Sequence, residues 1–177
     1  MKWNLGVRVV VAAAVISGLG ALPIAPAGAD GVPSCALALL TARLGQPDGA
    51  AGTTYYPLLL QNKGADRCSV VRALGVRFVA GPDNHPVGAA ARQDSGPDAT
   101  GTAASSATVL LDPGQSTSAN LGIVDAGSYP SDCTPTAVSG LQITVAGQDG
   151  AMVLAHPDRT CANTGYSTLH VGPLNKS

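Results

Sequence analysis

The sequence predicts an all-β protein, an antiparallel β-sandwich of immunoglobulin-like type, and three observations predict it. Short runs alternate apolar and polar residues with a period of two. Turn signals rich in Gly, Pro, Asp and Asn separate the runs. The composition disfavours helix, with no glutamate among 177 residues against 22 glycines and 13 prolines. A period-two pattern with a polar outer face marks an antiparallel strand with one side buried.

The chain before the first strand has another character. Met1 to Ala29 carries Lys2 and Arg8, then fourteen uncharged residues from Val9 to Leu22, then PIAPAGAD with small residues at Ala27 and Ala29. These are the three parts of a secretory signal, with cleavage expected between Ala29 and Asp30 and Ala27 as the alternative. Fourteen apolar residues fall short of the roughly 20 that span a bilayer. Cys35 follows Val32-Pro33-Ser34 and lies thirteen residues beyond Leu22, a poor context for lipid attachment. The expected product is a freely exported, secreted or cell-wall-associated chain of residues 30–177, one domain with its core at about 34–174. It has no further apolar run long enough to cross a membrane.

Loss of the signal removes Lys2 and Arg8 from the 10 basic residues, leaving 8 against 11 aspartates, a net charge of −3. It also removes Trp3, so Tyr55, Tyr56, Phe78, Tyr129 and Tyr166 are the remaining aromatics. A mildly acidic, aromatic-poor chain argues against nucleic acid, which needs clustered cations and stacking platforms. It also weakens sugar binding by aromatic stacking.

The strands follow in order. Leu37 and Leu39 are expected on one face after Cys35. Tyr56, Leu58 and Leu60 share a face of the next run, TTYYPLLLQN, where Pro57 predicts an edge strand or a bulge because it donates no ladder hydrogen bond. Leu74, Val76 and Phe78 point inward with Arg77 outward. GPDNHP and DPGQS read as turns. Ala119, Leu121 and Ile123 alternate with Asn120 and Gly122, Leu141, Ile143 and Val145 with Gln142 and Thr144, and Leu169 and Val171 with His170. Ala89 to Ala107 has no large apolar residue and reads as a slack connection, with Arg92, Asp94 and Asp98 as the candidate contacts of a binding loop.

Four cysteines in an exported chain predict two disulfides. In a hairpin, paired residue numbers share a midpoint at the turn. Cys35 and Cys68 centre on Ala51-Gly52, and Cys133 and Cys161 on Gly147, both turn signals, so these pairings are favoured. The nested alternatives centre near GPDATG and stay open. Without a CxxC pair, no metal site is expected.

The same residues in the same order resemble a known family. SCALALL opens the domain; GTTYYPLLLQNKGADRC, VLLDPGQSTSANLGIV, SDC and LQITV follow, and the last cysteine leads into LHVGPL. This order is similar to that of a β-sandwich domain of unknown function found in exported proteins and lipoproteins of actinobacteria, over about Ser34 to Leu174. The stretch after Cys68 departs from it: SVVRALGV replaces the usual Gly-aromatic-Pro element. The resemblance implies an exported, disulfide-braced sandwich, and no reaction, cofactor or catalytic residue.

No chemistry-bearing motif adds to this. Gly-x-Ser-x-Gly and phosphate-cradling loops are absent, and the aspartates fall mainly in turns. Asp94 and Asp98 lack the spacing of a calcium loop. His85, His156 and His170 are scattered, and read as surface residues. The expected function is therefore a non-enzymatic binding or structural module for an envelope or extracellular partner or small ligand, without cofactor, catalytic residue or metal. The rivals are a secreted protease inhibitor and a hydrolase whose Ser, His and Asp meet only in the fold.

Overall fold

The structure, a computed structural model, describes residues 31–94, 107–129, 133–163 and 165–175. The expected cleavage site between Ala29 and Asp30 lies outside them, as does Asp98.

Twelve strands occur among the described residues: β1 (Leu40–Leu44), β2 (Asp48–Ala50), β3 (Thr53–Asn62), β4 (Cys68–Val71), β5 (Leu74–Ala80), β6 (His85–Val87), β7 (Arg92–Gln93), β8 (Thr108–Leu111), β9 (Ser116–Val124), β10 (Pro135–Val145), β11 (Met152–Cys161) and β12 (Leu169–Val171). One sheet has the order β1-β3-β9-β12-β7, with β2 also on β3; another has β11-β10-β5-β6; β4 and β8 form a short ribbon. Every strand pair is antiparallel except β7 with β12. The inner faces of the two larger sheets meet in one core. Leu58, Leu60, Ala119 and Leu121 come from one side, and Leu74, Val76, Phe78, Leu141 and Ile143 from the other, all buried. The expected all-β sandwich and its inward residues are what the structure shows.

Three local expectations are corrected. β3 is not an edge strand, since it lies between β1 and β9. Pro57 fits there because a residue's N–H and C=O point to one side of a strand. Its carbonyl accepts from Gly45 N at 2.8 Å on the side where β1 has ended at Leu44 and β2 has not begun, so the missing donor lies in a gap. Leu37–Leu39 is one turn of 3-10 helix rather than a strand face, and Leu39 is 48% exposed.

The third correction concerns the first disulfide. Cys35–Cys68 and Cys133–Cys161 are the two bridges, as favoured from the sequence. The second closes the open end of the β10–β11 hairpin, where Pro135 faces Cys161. The first does not close a hairpin: Cys68 begins β4, in a different sheet from β1 and β3. The segment before Cys35 instead runs parallel to β4, with Cys35 N donating to Ser69 O and Ser69 N to Pro33 O, both at 2.8 Å.

The far end of β3 is tied by Asn62, 1% exposed. Its side-chain amide donates to Asp66 O (2.9 Å) and Leu111 O (3.1 Å), and its Oδ1 accepts from Gly64 N (2.8 Å). Its backbone pairs with the Pro-Gly turn, donating to Gln115 O and accepting from Gly114 N. That turn has Pro113 at its second position and Gly114, with φ +78°, at its third, the arrangement a type II turn requires. The Asn and the Pro-Gly turn, two separate parts of the sequence pattern, are thus halves of one hydrogen-bonded lock. Outside it, Arg67 grips Asp112 with two bonds, 2.6 and 3.2 Å. This hydrogen bond lowers the Asp112 pKa and raises that of Arg67, on exposed side chains. Arg72, only 6% exposed, donates to Leu174 O and fixes the segment after β12.

Candidate functional site

Of the nominated loop residues, Arg92 and Asp94 are not on a slack loop. After β6 the chain bulges at Gly88, whose φ is +70° and where a Cβ would come within 2.4 Å of the Cys161 carbonyl oxygen. Ala91 N still donates to Val76 O, on β5. The chain then changes sheets, as strands at sandwich edges do: β7 pairs with β12, and Asp94 N donates to Val171 O at 2.9 Å.

This transfer brings Arg92 and Asp94 to His170. One guanidinium nitrogen of Arg92 lies 3.3 Å from Nε2 and 3.4 Å from Nδ1 of that ring. A position that close to both nitrogens lies over the ring face, so Arg92 stacks on His170 rather than bonding in its plane. Asp94 Oδ1 is 3.5 Å from Nδ1, an ion-pair distance when the imidazole is charged.

Sheet register extends the cluster into a row. Arg92 faces His170, His170 faces Gly122, Gly122 faces Tyr55, and Tyr55 faces Asp48. Gly122 leaves space that Tyr55 uses: a Cβ there would lie 3.0 Å from the tyrosine ring. The ring therefore lies against the sheet, 37% of the residue exposed. An aromatic surface, a cation, two carboxylates and an imidazole line one outer face.

On the inner side of the same strands the polarity changes along the core. Leu60 and Leu58 are fully buried, while Tyr56 and Thr54 are half-buried. On β11, His156 and Asp158 follow Leu154 with the same period. Tyr56 and His156 meet edge to face, centroids 5.4 Å apart, and His156 Nε2 lies 3.5 Å from Asp158 Oδ2. Beside them opens a cleft of about 260 Å³ lined by Thr54, Tyr56, Ile123, Asp125, Asp158 and Arg159.

The histidines are therefore only partly the surface residues expected. His85 is exposed, but the His156 and His170 side chains are 18% and 19% exposed and partnered. The sequence did hold a signal for His156, since Met152, Leu154, His156 and Asp158 share one period-two face. In the sequence, Pro157, which follows it, breaks that pattern. It is the site of a bulge, where the β10–β11 register shifts between Val138 and Gly140. Among the described residues, no group of three or more His, Cys or Asp side chains is placed to hold a metal.

No curated protein and no solved structure matches the chain. One family profile does, over residues 35–175, a span that runs from the first cysteine to the end of the described residues. The chain belongs to the DUF4232 family, a domain of unknown function.

Proposed function

We propose that the protein is an exported, non-enzymatic binding module of the cell envelope or extracellular space, engaging its partner through the outer face that carries Tyr55, His170, Arg92 and Asp94. The observation that carries this reading is the row itself. Residues from separate strands are pinned by backbone pairing into an exposed strip offering an apolar ring, donors and acceptors together. Rigid placement lowers the ordering cost of binding.

Export is supported by the signal-like first 29 residues and by two disulfides, which persist in oxidising compartments. No helix among the described residues is long and apolar enough to cross a membrane. The imidazoles of His156 and His170 are engaged by Tyr56 and Asp158, and by Arg92 and Asp94. The inhibitor alternative loses its presenting loop as far as Asp94, because Arg92 and Gln93 are paired in a sheet.

Capture from culture filtrate and envelope extract tests the reading, with residues 30–177 as one bait and the Arg92→Ala/His170→Ala variant as the other. A partner retained by the first and lost by the second, with both baits equally stable, is expected. Identical recovery by both baits would remove this face from the function. Labelling by a serine-reactive probe, abolished by His156→Ala or His170→Ala, would replace the module with a hydrolase.

A further inference from the structure

We infer that the cleft between the two sheets at the start of β3 is a second binding site, independent of the outer face, and that it takes a primary ammonium group on an alkyl stem. A sandwich interior is ordinarily filled by apolar side chains. Here both walls become polar at the same level, Thr54 and Tyr56 on one sheet and His156 and Asp158 on the other.

The polar atoms of the lining are incompletely used. Asp125 Oδ1 accepts from Gly127 N at 2.7 Å, and Asp158 Oδ1 from Arg159 N at 2.7 Å. Among the described residues, the second oxygen of Asp125 accepts no hydrogen bond, and that of Asp158 has the 3.5 Å approach of His156. No hydrogen bond of the Thr54 or Tyr56 hydroxyl is found among the described residues. Arg159, the one cation of the lining, already donates to Pro135 O at 3.1 Å. Two carboxylates against one guanidinium leave surplus negative charge facing the space.

The geometry separates the possible cations. The acceptors come from three directions: β3, the turn after β9, and β11. An ammonium carries three donors arranged tetrahedrally and suits acceptors that do not share a plane. A guanidinium prefers a coplanar pair on one carboxylate. Ile123 supplies an apolar wall for a methylene stem, and the Tyr56 ring a further surface that attracts cations. A lysine side chain of a partner and a free alkyl diamine share this chemistry.

Titrations of the isotopically labelled, disulfide-intact protein followed by amide NMR test the inference. The probes are 1,5-diaminopentane and a lysine blocked at its α-amino and carboxyl groups, with 1,5-pentanediol and the equally blocked arginine as controls. Saturable shifts centred on Thr54, Ile123 and Asp158 are expected with the two amines, and none with the diol. Arginine should bind at least about tenfold more weakly. Asp125→Asn and Asp158→Asn should each weaken amine binding about tenfold or more, as loss of one charged hydrogen bond does. Thr54→Val, which keeps the lining charge, should weaken it less. Tighter binding of blocked lysine would identify a protein partner as the source, and tighter binding of diamine a free amine. No saturable shift at these residues, or equal binding by wild type and both Asn variants with spectra that remain dispersed, would overturn the site.

Discussion

The two ends of strand β3 are built on opposite plans. At Asn62 the polar side chain is buried and each of its side-chain bonds ends on another part of this chain, locking the Pro-Gly turn and the approach to Cys68. At Thr54 and Tyr56, eight and six residues upstream on the same strand, polar side chains face a cleft with hydroxyls that make no hydrogen bond among the described residues. Each end has its own disulfide, Cys35–Cys68 beside the lock and Cys133–Cys161 beside the cleft. The difference teaches that polarity inside a sandwich has two meanings. Satisfied polarity specifies the fold, and unsatisfied polarity beside a cavity is available to a ligand.

The disulfides give the largest expected effect and the one point where the ends should agree. The bridges close loops of similar separation, 33 and 28 residues. Replacing either pair by alanines should therefore cost about 3–4 kcal/mol by chain entropy. Denaturant unfolding would break the symmetry if one pair cost less than half of the other. Asn62→Ala should come next, at about 3 kcal/mol, because it strands the buried Leu111 carbonyl and removes the partner of the part-buried Asp66 carbonyl and Gly64 amide. Tyr56→Phe removes an oxygen of a half-buried side chain in the same strand, one with no hydrogen bond among the described residues, and should change stability by less than about 0.5 kcal/mol. A Tyr56→Phe cost as large as that of Asn62→Ala would erase the contrast.

How much of this was legible depends on whether a feature is periodic. The inward residues of β3, β5, β9, β10 and β12 are read directly from alternation, because one face of each strand is buried against one core. The disulfide pairing follows from midpoints, yet only the Cys133–Cys161 bridge has the hairpin geometry assumed. The other is reached by a parallel segment that leaves no periodic mark. Pro57 misled because its missing donor matters on one side of the strand only, and sequence does not show where the neighbouring strand breaks. Arg92 and Asp94 stand out in a stretch of small residues, but what unites them with His170 is a sheet change across 78 positions, set by Gly88 and by parallel pairing with β12.

A smaller effect sharpens the stable end. Arg67 holds the Asp112 carboxyl below the usual aspartate value of about 3.9. A group depressed on folding stabilises above its unfolded pKa, and that contribution disappears as pH falls through the folded one. Stability should therefore decline on acidification below about pH 4 slightly more steeply in the wild type than in Asp112→Asn. Solvent screening of this exposed pair keeps the difference small. Paired urea titrations at neutral and acidic pH would read it, and a steeper decline in the variant would reverse the assigned sign.

The division of labour along β3 is tested most directly by urea unfolding of wild type and Thr54→Val/Tyr56→Phe, each with and without saturating 1,5-diaminopentane. Without amine the two proteins should unfold at the same midpoint. With amine the wild-type midpoint should rise, as it must when a ligand binds only the folded state, and the variant's should rise much less. A variant that unfolds clearly earlier without amine, or gains as much from amine as the wild type, would show that these hydroxyls serve the fold and not a ligand.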